Sequence, residues 1–424
     1  MDNEPLLWHD LIATMSQARP PHIVDSLQPE MALLVACARS QLTEEHKSII
    51  HRLLDKELDW DNVINNAIYH KVIPLLHRSL STSFRDKVPV GAMSRITTHL
   101  KESSLLTFVI TASLLNVIRL LQENEIPVLP VKGAILAEKL YGSPTMRSYT
   151  DVDILVHQAN LEKALKLLQE NNYTLLPVGI PQATFLKFLK YNHHGRLRDR
   201  NSILIELHWE LSGFYAPEPI TLEKLEPFLT NTVFNNCPTL TLNNEMLFIF
   251  LCLHGNKHCW EKLDYIFSMA ELVNVAPDLD WNLIMKLGEK HQMTKRIFIS
   301  LFLMKQLFAT TIPEQLTDGT PALNRLADRV IKRITNPNRV EALKHPALNW
   351  IYFQANAIDG RLNMLRYIFR SIVVPEHDEW LLKMPKSFFL FYFIYKPFLM
   401  LKAPISKRIQ SVLHSINKSI VTTK

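Results

Sequence analysis

Between about Pro29 and Leu80 the apolar residues recur at spacings of three and four. Met31, Leu34 and Val35 form one such set, Ile49, Leu53 and Leu54 a second, and Trp60, Val63 and Ile64 a third. This spacing predicts amphipathic helices. A polar and proline-bearing stretch, STSFRDKVPVGAM, reads as a linker to a long helix over roughly Ser103 to Asn124. The pattern then shortens. A brief apolar run from Ile126 to Val131 is followed by Lys132-Gly133 and a helix-like AILAEKLY, which predicts strand, turn and helix. TDVDILV alternates polar and apolar residues before becoming wholly apolar, as a strand entering a core does. Gln158 to Asn171 has helical spacing, and Tyr173 to Val178, Tyr191 to Leu197 and Ile203 to Glu210 predict further strands. From Asn244 onward helices return: Met246 to His258, a segment through Leu263, Ile266 and Ala270, Trp281 to Lys290 and Arg296 to Phe308, with Pro313, Pro321 and Pro337 separating later ones.

These patterns divide the chain into an N-terminal helical region over 1–102, an α/β region over 103–240, a C-terminal helical region over 241–375 and a tail over 376–424. The fold class expected is α+β. No internal repeat interrupts this order.

Composition changes the picture in three places. The chain's 424 residues include only ten glycines, and the closest two, Gly133 and Gly142, are nine apart. Neither G-x-G-x-x-G nor G-x-x-x-x-G-K can therefore occur, which excludes glycine-loop dinucleotide sites and P-loops. The net charge is +6, but no acidic residue follows Glu379, whereas eight lysines and arginines do, so the first 379 residues carry 39 − 41 = −2. A slightly acidic body lacks the clustered basic footprint of a nucleic-acid coat, and no nucleic-acid partner is expected. The tail's longest apolar stretch, Phe388 to Leu401, is broken at Lys396-Pro397 and falls short of the roughly 20 residues a bilayer needs, so no transmembrane helix is expected. The tail reads either as a core helix with a solvated end or as a weak membrane-surface contact. The start, MDNEPLLWHDL, lacks the basic and apolar regions of a signal peptide, and the four cysteines have no framework spacing, so the expected location is cytoplasmic.

The candidate chemistry lies on two strands. Asp151 and Asp153 are two apart, which places both carboxylates on one face while Val152, Ile154 and Val156 take the other. In SILIELHWEL, Glu206 and His208 share a face opposite Ile205 and Leu207, so Glu206 supplies a third carboxylate if the strands are neighbours. Three carboxylates side by side repel unless a cation neutralises them, and hard oxygens of this kind suit Mg²⁺ together with substrate phosphates. Alone, D-x-D is common and also fits a strand facing solvent. Upstream, Lys132-Gly133 stands at a helix start, where free N–H groups, a glycine and a lysine make an anion site. Arg147 adds a second cation near Asp151; otherwise Lys132 and Arg147 are ordinary surface cations.

The order K-G, Y-G-x-P-x-R, D-x-D-I-L-V and E-L-H-W resembles the uncharacterised nucleotidyltransferase family of the polymerase-β-like superfamily, closely from about Asn124 to Leu211 and more loosely beyond Asn244. The resemblance implies a polymerase-β-like α/β core with a small mixed sheet, flanked by helical regions. It implies that Asp151, Asp153 and Glu206 bind two Mg²⁺ ions and are catalytic. Lys132 and Gly133 would occupy the phosphate turn, with Arg147 beside it and His208 supporting the acids. The co-substrate implied is an NTP, and the acceptor is a small molecule or a protein. The superfamily's turn is usually Gly-Ser, whereas Ala134 follows Gly133 here. That departure keeps two alternatives in view, a nucleotide-binding scaffold without turnover and an AMPylating partner of the toxin–antitoxin kind.

CLHGNKHCW, from Cys252 to Trp260, contains zinc-type residues. On one helix Cys252 and Cys259 face one way and His254 and His258 nearly the other, so the four cannot converge on one ion. H-G-x-K-H-x-W-x-x-L continues the family resemblance, although Ser268 stands where family members often have aspartate. His254 and His258, like His193, His194 and His208, read as structural histidines or as groups near the substrate.

Overall fold

The computed structural model describes residues 23–178, 193–316, 319–336 and 346–373. The acidic start, Tyr191, Pro337 and the tail over 376–424 with its apolar run lie outside them. Four helices open the described chain: α1 (Pro29–Cys37), α2 (Glu44–Leu54), α3 (Trp60–Tyr69) and α4 (Ile73–Ser83). Their starts follow side-chain chemistry. Thr43 and His46 cap α2 reciprocally, and the Asp59 carboxylate accepts the Asn62 N–H at the start of α3.

The linker expected before the long helix is mostly helical. α4 continues to Ser83, a 3₁₀ turn covers Arg85–Lys87, and α5 runs from Val90 to Glu123. Pro89 occupies its N-cap, where the missing N–H costs no helical bond, so the proline that suggested a linker starts the helix instead. By length and apolarity alone α5 could cross a bilayer, a property that attention to the tail's apolar run missed; 44% of its most apolar window is buried inside the protein. Its buried side carries Ile110, Leu114, Val117, Ile118 and Leu121.

The sheet follows as β1 (Val128–Pro130), β2 (Asp151–Val156), β3 (Thr174–Leu176), β4 (His194–Arg198) and β5 (Leu204–His208), with α6 (Gly133–Tyr141) and α7 (Leu161–Glu170) between strands. The spatial order is β1-β2-β5-β4-β3. β2 and β5 are parallel and the other neighbours antiparallel, so the sheet is small and mixed as expected. One face buries Val152, Ile154, Val156, Ile205, Leu207 and Leu197 in a cluster with α5 and α7. The other face carries the acids.

A hairpin of β6 (Leu229–Phe234) and β7 (Cys237–Leu242) went unread in the sequence. Its turn, Asn235-Asn236, has left-handed φ values of 45° and 59°, the conformation a two-residue hairpin turn requires. Asn-Asn was the available signal.

Helices then resume as α8 (Asn244–Lys257), α9 (Leu263–Val275), α10 (Trp281–Lys290), α11 (Thr294–Phe308), α12 (Pro321–Ile334), α13 (Pro346–Ala357) and α14 (Arg361–Val373). One continuous apolar core joins Met31, Leu34, Ile50 and Leu76 of the first helices to Phe248, Phe267, Met304 and Val330 of the last ones. Leu129, Leu136 and Leu155 of the sheet region also belong to it. The three regions drawn from sequence therefore share buried surface.

Candidate active site

The register of β2 and β5 builds the acidic face. Asp153 lies opposite Glu206 and Leu155 opposite His208, while β4 places His194 opposite His208 and Arg196 opposite Glu206. Directly opposed residues point to the same face of a sheet. Asp151, Asp153, Glu206, His208, His194 and Arg196 thus share one face.

Asp153 is its centre and is 5% exposed. The Lys132 ammonium lies 2.8 Å from Asp153 Oδ1. His208 Nε2 stands 3.1 Å from the same oxygen and 3.5 Å from Glu206 Oε2. Asp153, Glu206 and His208 each present a donor atom within 4.8 Å of the others. Lys132 reaches Asp153 because the Val131 N–H donates to the Asp153 carbonyl and Gly133 then turns the chain into α6 with φ +63°. A Cβ at Gly133 would meet only ordinary contacts, so its left-handed backbone is what calls for glycine there.

Charge within the site is uneven. Burial raises the Asp153 carboxyl, but the Lys132 ammonium and the His208 hydrogen bond outweigh it and hold the group below the usual range. Burial likewise opposes ionisation of Glu206, and its hydrogen bond with His208 reverses that and lowers it. Asp151 goes the other way, raised by burial and by the negative charge of Asp153. His208 and Lys132 both lose from burial and gain more from the carboxylates, ending above their ordinary values. Two cationic side chains therefore neutralise Asp153 and Glu206, while Asp151 remains short of a positive neighbour.

Arg147, read as a phosphate contact, faces elsewhere. Its Nε and Nη2 fork onto Asp264 of α9 at 3.1 and 2.7 Å, and both residues are buried. The sequence pattern did not single out Asp264, although an aspartate inside the apolar run LDYIFSMAEL was a signal that it has a buried partner. At the same junction His70 Nδ1 accepts the Leu263 N–H at 3.2 Å and the His70 carbonyl accepts the Asp264 N–H at 3.3 Å, so the end of α3 caps α9. The next residue, Lys71, is held at about 8 by burial and by the charges of Lys262 and Arg147, with Asp264 and Asp151 acting in the opposite direction. An N-terminal cation therefore lies in the electrostatic field of Asp151, a placement that spacing along the chain does not reveal.

His254 and His258 belong to this neighbourhood. Their rings are 4.8 Å apart, with Tyr265 5.2 Å from the first and 5.4 Å from the second. Both are partly exposed. Burial and Lys132 drive His254 well below the ordinary imidazole value, and burial and Lys257 drive His258 to about 3. Both are neutral rings beside a cationic rim. Cys252 and Cys259 are buried thiols pushed up to about 12 by burial.

A cavity of about 640 Å³ opens at the Asp151 end of the acidic face, with Thr150, Leu204, Arg196, Arg198, Leu176 and Ile203 in its wall. That volume suits a nucleotide-sized ligand.

The model of a family described as uncharacterised nucleotidyltransferase matches residues 56–309, from the turn before α3 to the end of α11. No curated protein matches the chain.

Proposed function

Because the chain belongs to the uncharacterised nucleotidyltransferase family, we propose that it transfers a nucleoside monophosphate from an NTP to an acceptor hydroxyl in a Mg²⁺-dependent reaction. The observation that carries this reading is the parallel register that sets Glu206 opposite Asp153, with Asp151 on the same face and Lys132 in contact with Asp153. The donor set fits the metal: Asp153 and Glu206 are hard oxygen donors within reach of one another, and Asp151 is pushed up by burial and by the charge of Asp153. Asp151, Asp153 and Glu206 would hold two Mg²⁺ ions, which supply neutralisation of the triphosphate and of the departing pyrophosphate.

The acceptor oxygen forms its bond to the α-phosphorus as the bond from that phosphorus to the β-phosphate bridging oxygen breaks, and pyrophosphate leaves. Glu206 takes the acceptor proton. The Lys132 ammonium exchanges its contact with Asp153 for the phosphates, and the free N–H groups at the start of α6 orient them. His208 holds Asp153 and Glu206 through Nε2. The arginine-walled cavity accommodates the anionic substrate, since Arg196 adjoins Glu206 and Arg198 lies further along the same strand.

Labelled NTPs, Mg²⁺ and cell extract test the reading. Transfer of label to an acceptor is expected, and Asp153→Asn should reduce it by at least about 100-fold, equivalent to about 2.7 kcal/mol of barrier. Transfer that survives this substitution overturns the assignment. One observation favours a nucleotide-binding scaffold: Lys132 and His208 already neutralise the acids, and Ala134 offers no hydroxyl after Gly133. Calorimetric NTP binding without pyrophosphate release in extract would select that alternative.

A further inference from the structure

Three histidines meet at the His208 end of the acidic face. His194 lies directly opposite His208 in the β4–β5 ladder, and His193 precedes it. The ring centroids are 4.6 Å apart for His193 and His194, 5.1 Å for His194 and His208, and 6.1 Å for His193 and His208. Each ring offers a nitrogen within 4.8 Å of those of the other two.

The bonding of His208 distinguishes this group from a chance stack of imidazoles. Its Nε2 faces Asp153 and Glu206, while its Nδ1 is buried and has no hydrogen-bond partner. A histidine that donates one N–H to a carboxylate and turns its other nitrogen elsewhere has the arrangement of a metal-bound histidine held by an acid. A buried nitrogen left unsatisfied keeps its desolvation penalty, and a metal bond removes it. His193 is prepared differently. The Lys257 ammonium is 3.3 Å from its Nε2 and occupies that edge. On the other side a Cβ at position 213 would stand 3.0 Å from His193 Nδ1, and residue 213 is a glycine with φ +53°. The glycine adds no bulk on that edge.

We infer that His193, His194 and His208 form a transition-metal site separate from the carboxylate site and joined to it through the His208 ring. Three imidazole nitrogens select Zn²⁺ or a related divalent first-row ion over Mg²⁺, which takes oxygen donors. Bonds of about 2.0–2.1 Å in a tetrahedral arrangement need nitrogens about 3.3 Å apart, so small side-chain rotations bring the rings from their present spacing onto an ion. The fourth position remains open to water or substrate. On binding, the ion takes the place of the His208 Nδ1 proton, which is released to solvent, and leaves Nε2–H directed at Asp153 and Glu206, so that it acts by positioning both acids. The site does not depend on the nucleotidyl-transfer reading.

Cobalt serves as the probe. Full-length protein without affinity-tag histidines is stripped with EDTA and titrated with Co²⁺ in excess Mg²⁺, with metal content and visible absorption as readouts. One Co²⁺ per chain is expected, with the intense visible bands of a low-coordinate nitrogen site, displaceable by Zn²⁺. His194→Gln, a partly exposed position, should weaken binding at least tenfold with the fold retained by circular dichroism, whereas Asp151→Asn should keep the cobalt spectrum while losing nucleotidyl transfer. Absence of Co²⁺ binding by the wild-type chain, unchanged binding in His194→Gln, or sulfur-to-cobalt charge-transfer bands would each overturn the inference. A chain that binds cobalt but transfers no nucleotide would refute the proposed function and leave the metal site standing.

Discussion

At the scale of single residues, the site depends on which cation each carboxylate meets. Asp153 has Lys132 and His208, Glu206 has His208, and Asp151 lies in the field of Lys132 and, less strongly, of Lys71. The rim histidines give a pH prediction. His258 is held at about 3 in the folded chain by burial and by Lys257, Lys132, Lys262 and Lys71, against about 6.5 for a free imidazole. Between those values the unfolded chain binds the extra proton, so stability is present in full above about pH 6.5 and is lost as pH falls toward 3. His258→Gln should flatten the rise of unfolding free energy between pH 4.5 and 6.5 by up to about 1.4 kcal/mol per pH unit, measured by urea denaturation. An unchanged slope would mean that the ring is not kept neutral by its surroundings.

At the scale of elements, close packing explains what the pattern left open. In α8, Gly255 lies against Trp260, whose six-membered ring occupies the place a Cβ would take. Trp260 is fully buried, so neither side can give way easily. Gly255→Ala should destabilise the protein by about 1–3 kcal/mol and lower its thermal midpoint, with Ala270→Gly in α9 as a comparison that adds no bulk. An unaltered midpoint in Gly255→Ala would show that the tryptophan has room to move. The H-G-x-K-H-x-W spacing was visible in the sequence. Its reason was not visible, because the tryptophan folds back onto the glycine through left-handed residues at Cys259 and Trp260, with φ of 50° and 55°. The β6–β7 hairpin was missed although Thr239 to Leu242 alternates polar and apolar residues, because β6 is threonine-rich, buries only Phe234 and shows no such alternation.

At the scale of the whole molecule, the Arg147–Asp264 pair joins the sheet region to the C-terminal helices, and His70 brings the N-terminal helices to the same point. Removing one member of a buried ion pair leaves the other charge unmatched at a cost of about 3–5 kcal/mol. Asp264→Ala should show that loss in chemical denaturation, and Arg147→Met with Asp264→Leu should recover most of it. A double variant as weak as the single one would assign the loss to packing alone. Expressed by themselves, residues 103–240 should lack a cooperative thermal transition, because Leu129, Leu136 and Leu155 bury against helices from both flanks. A sharp transition in that fragment would make it an independent domain.

The sequence by itself determined most of the order of elements, the β6–β7 hairpin and the start of α5 excepted, and the two acidic strands, because side chains alternate every second residue along a strand and every three to four along a helix. That local periodicity placed Asp151 with Asp153, and Glu206 with His208, on common faces. It also excluded the glycine-rich phosphate loops. Only the tertiary structure decided the rest. Strand register set Glu206 against Asp153, chain folding paired Arg147 with Asp264, and the β4–β5 pairing brought His193 and His194 to His208. These are contacts between residues far apart in the chain, and the free energy that selects them comes from burial shared by several elements, which no local pattern encodes.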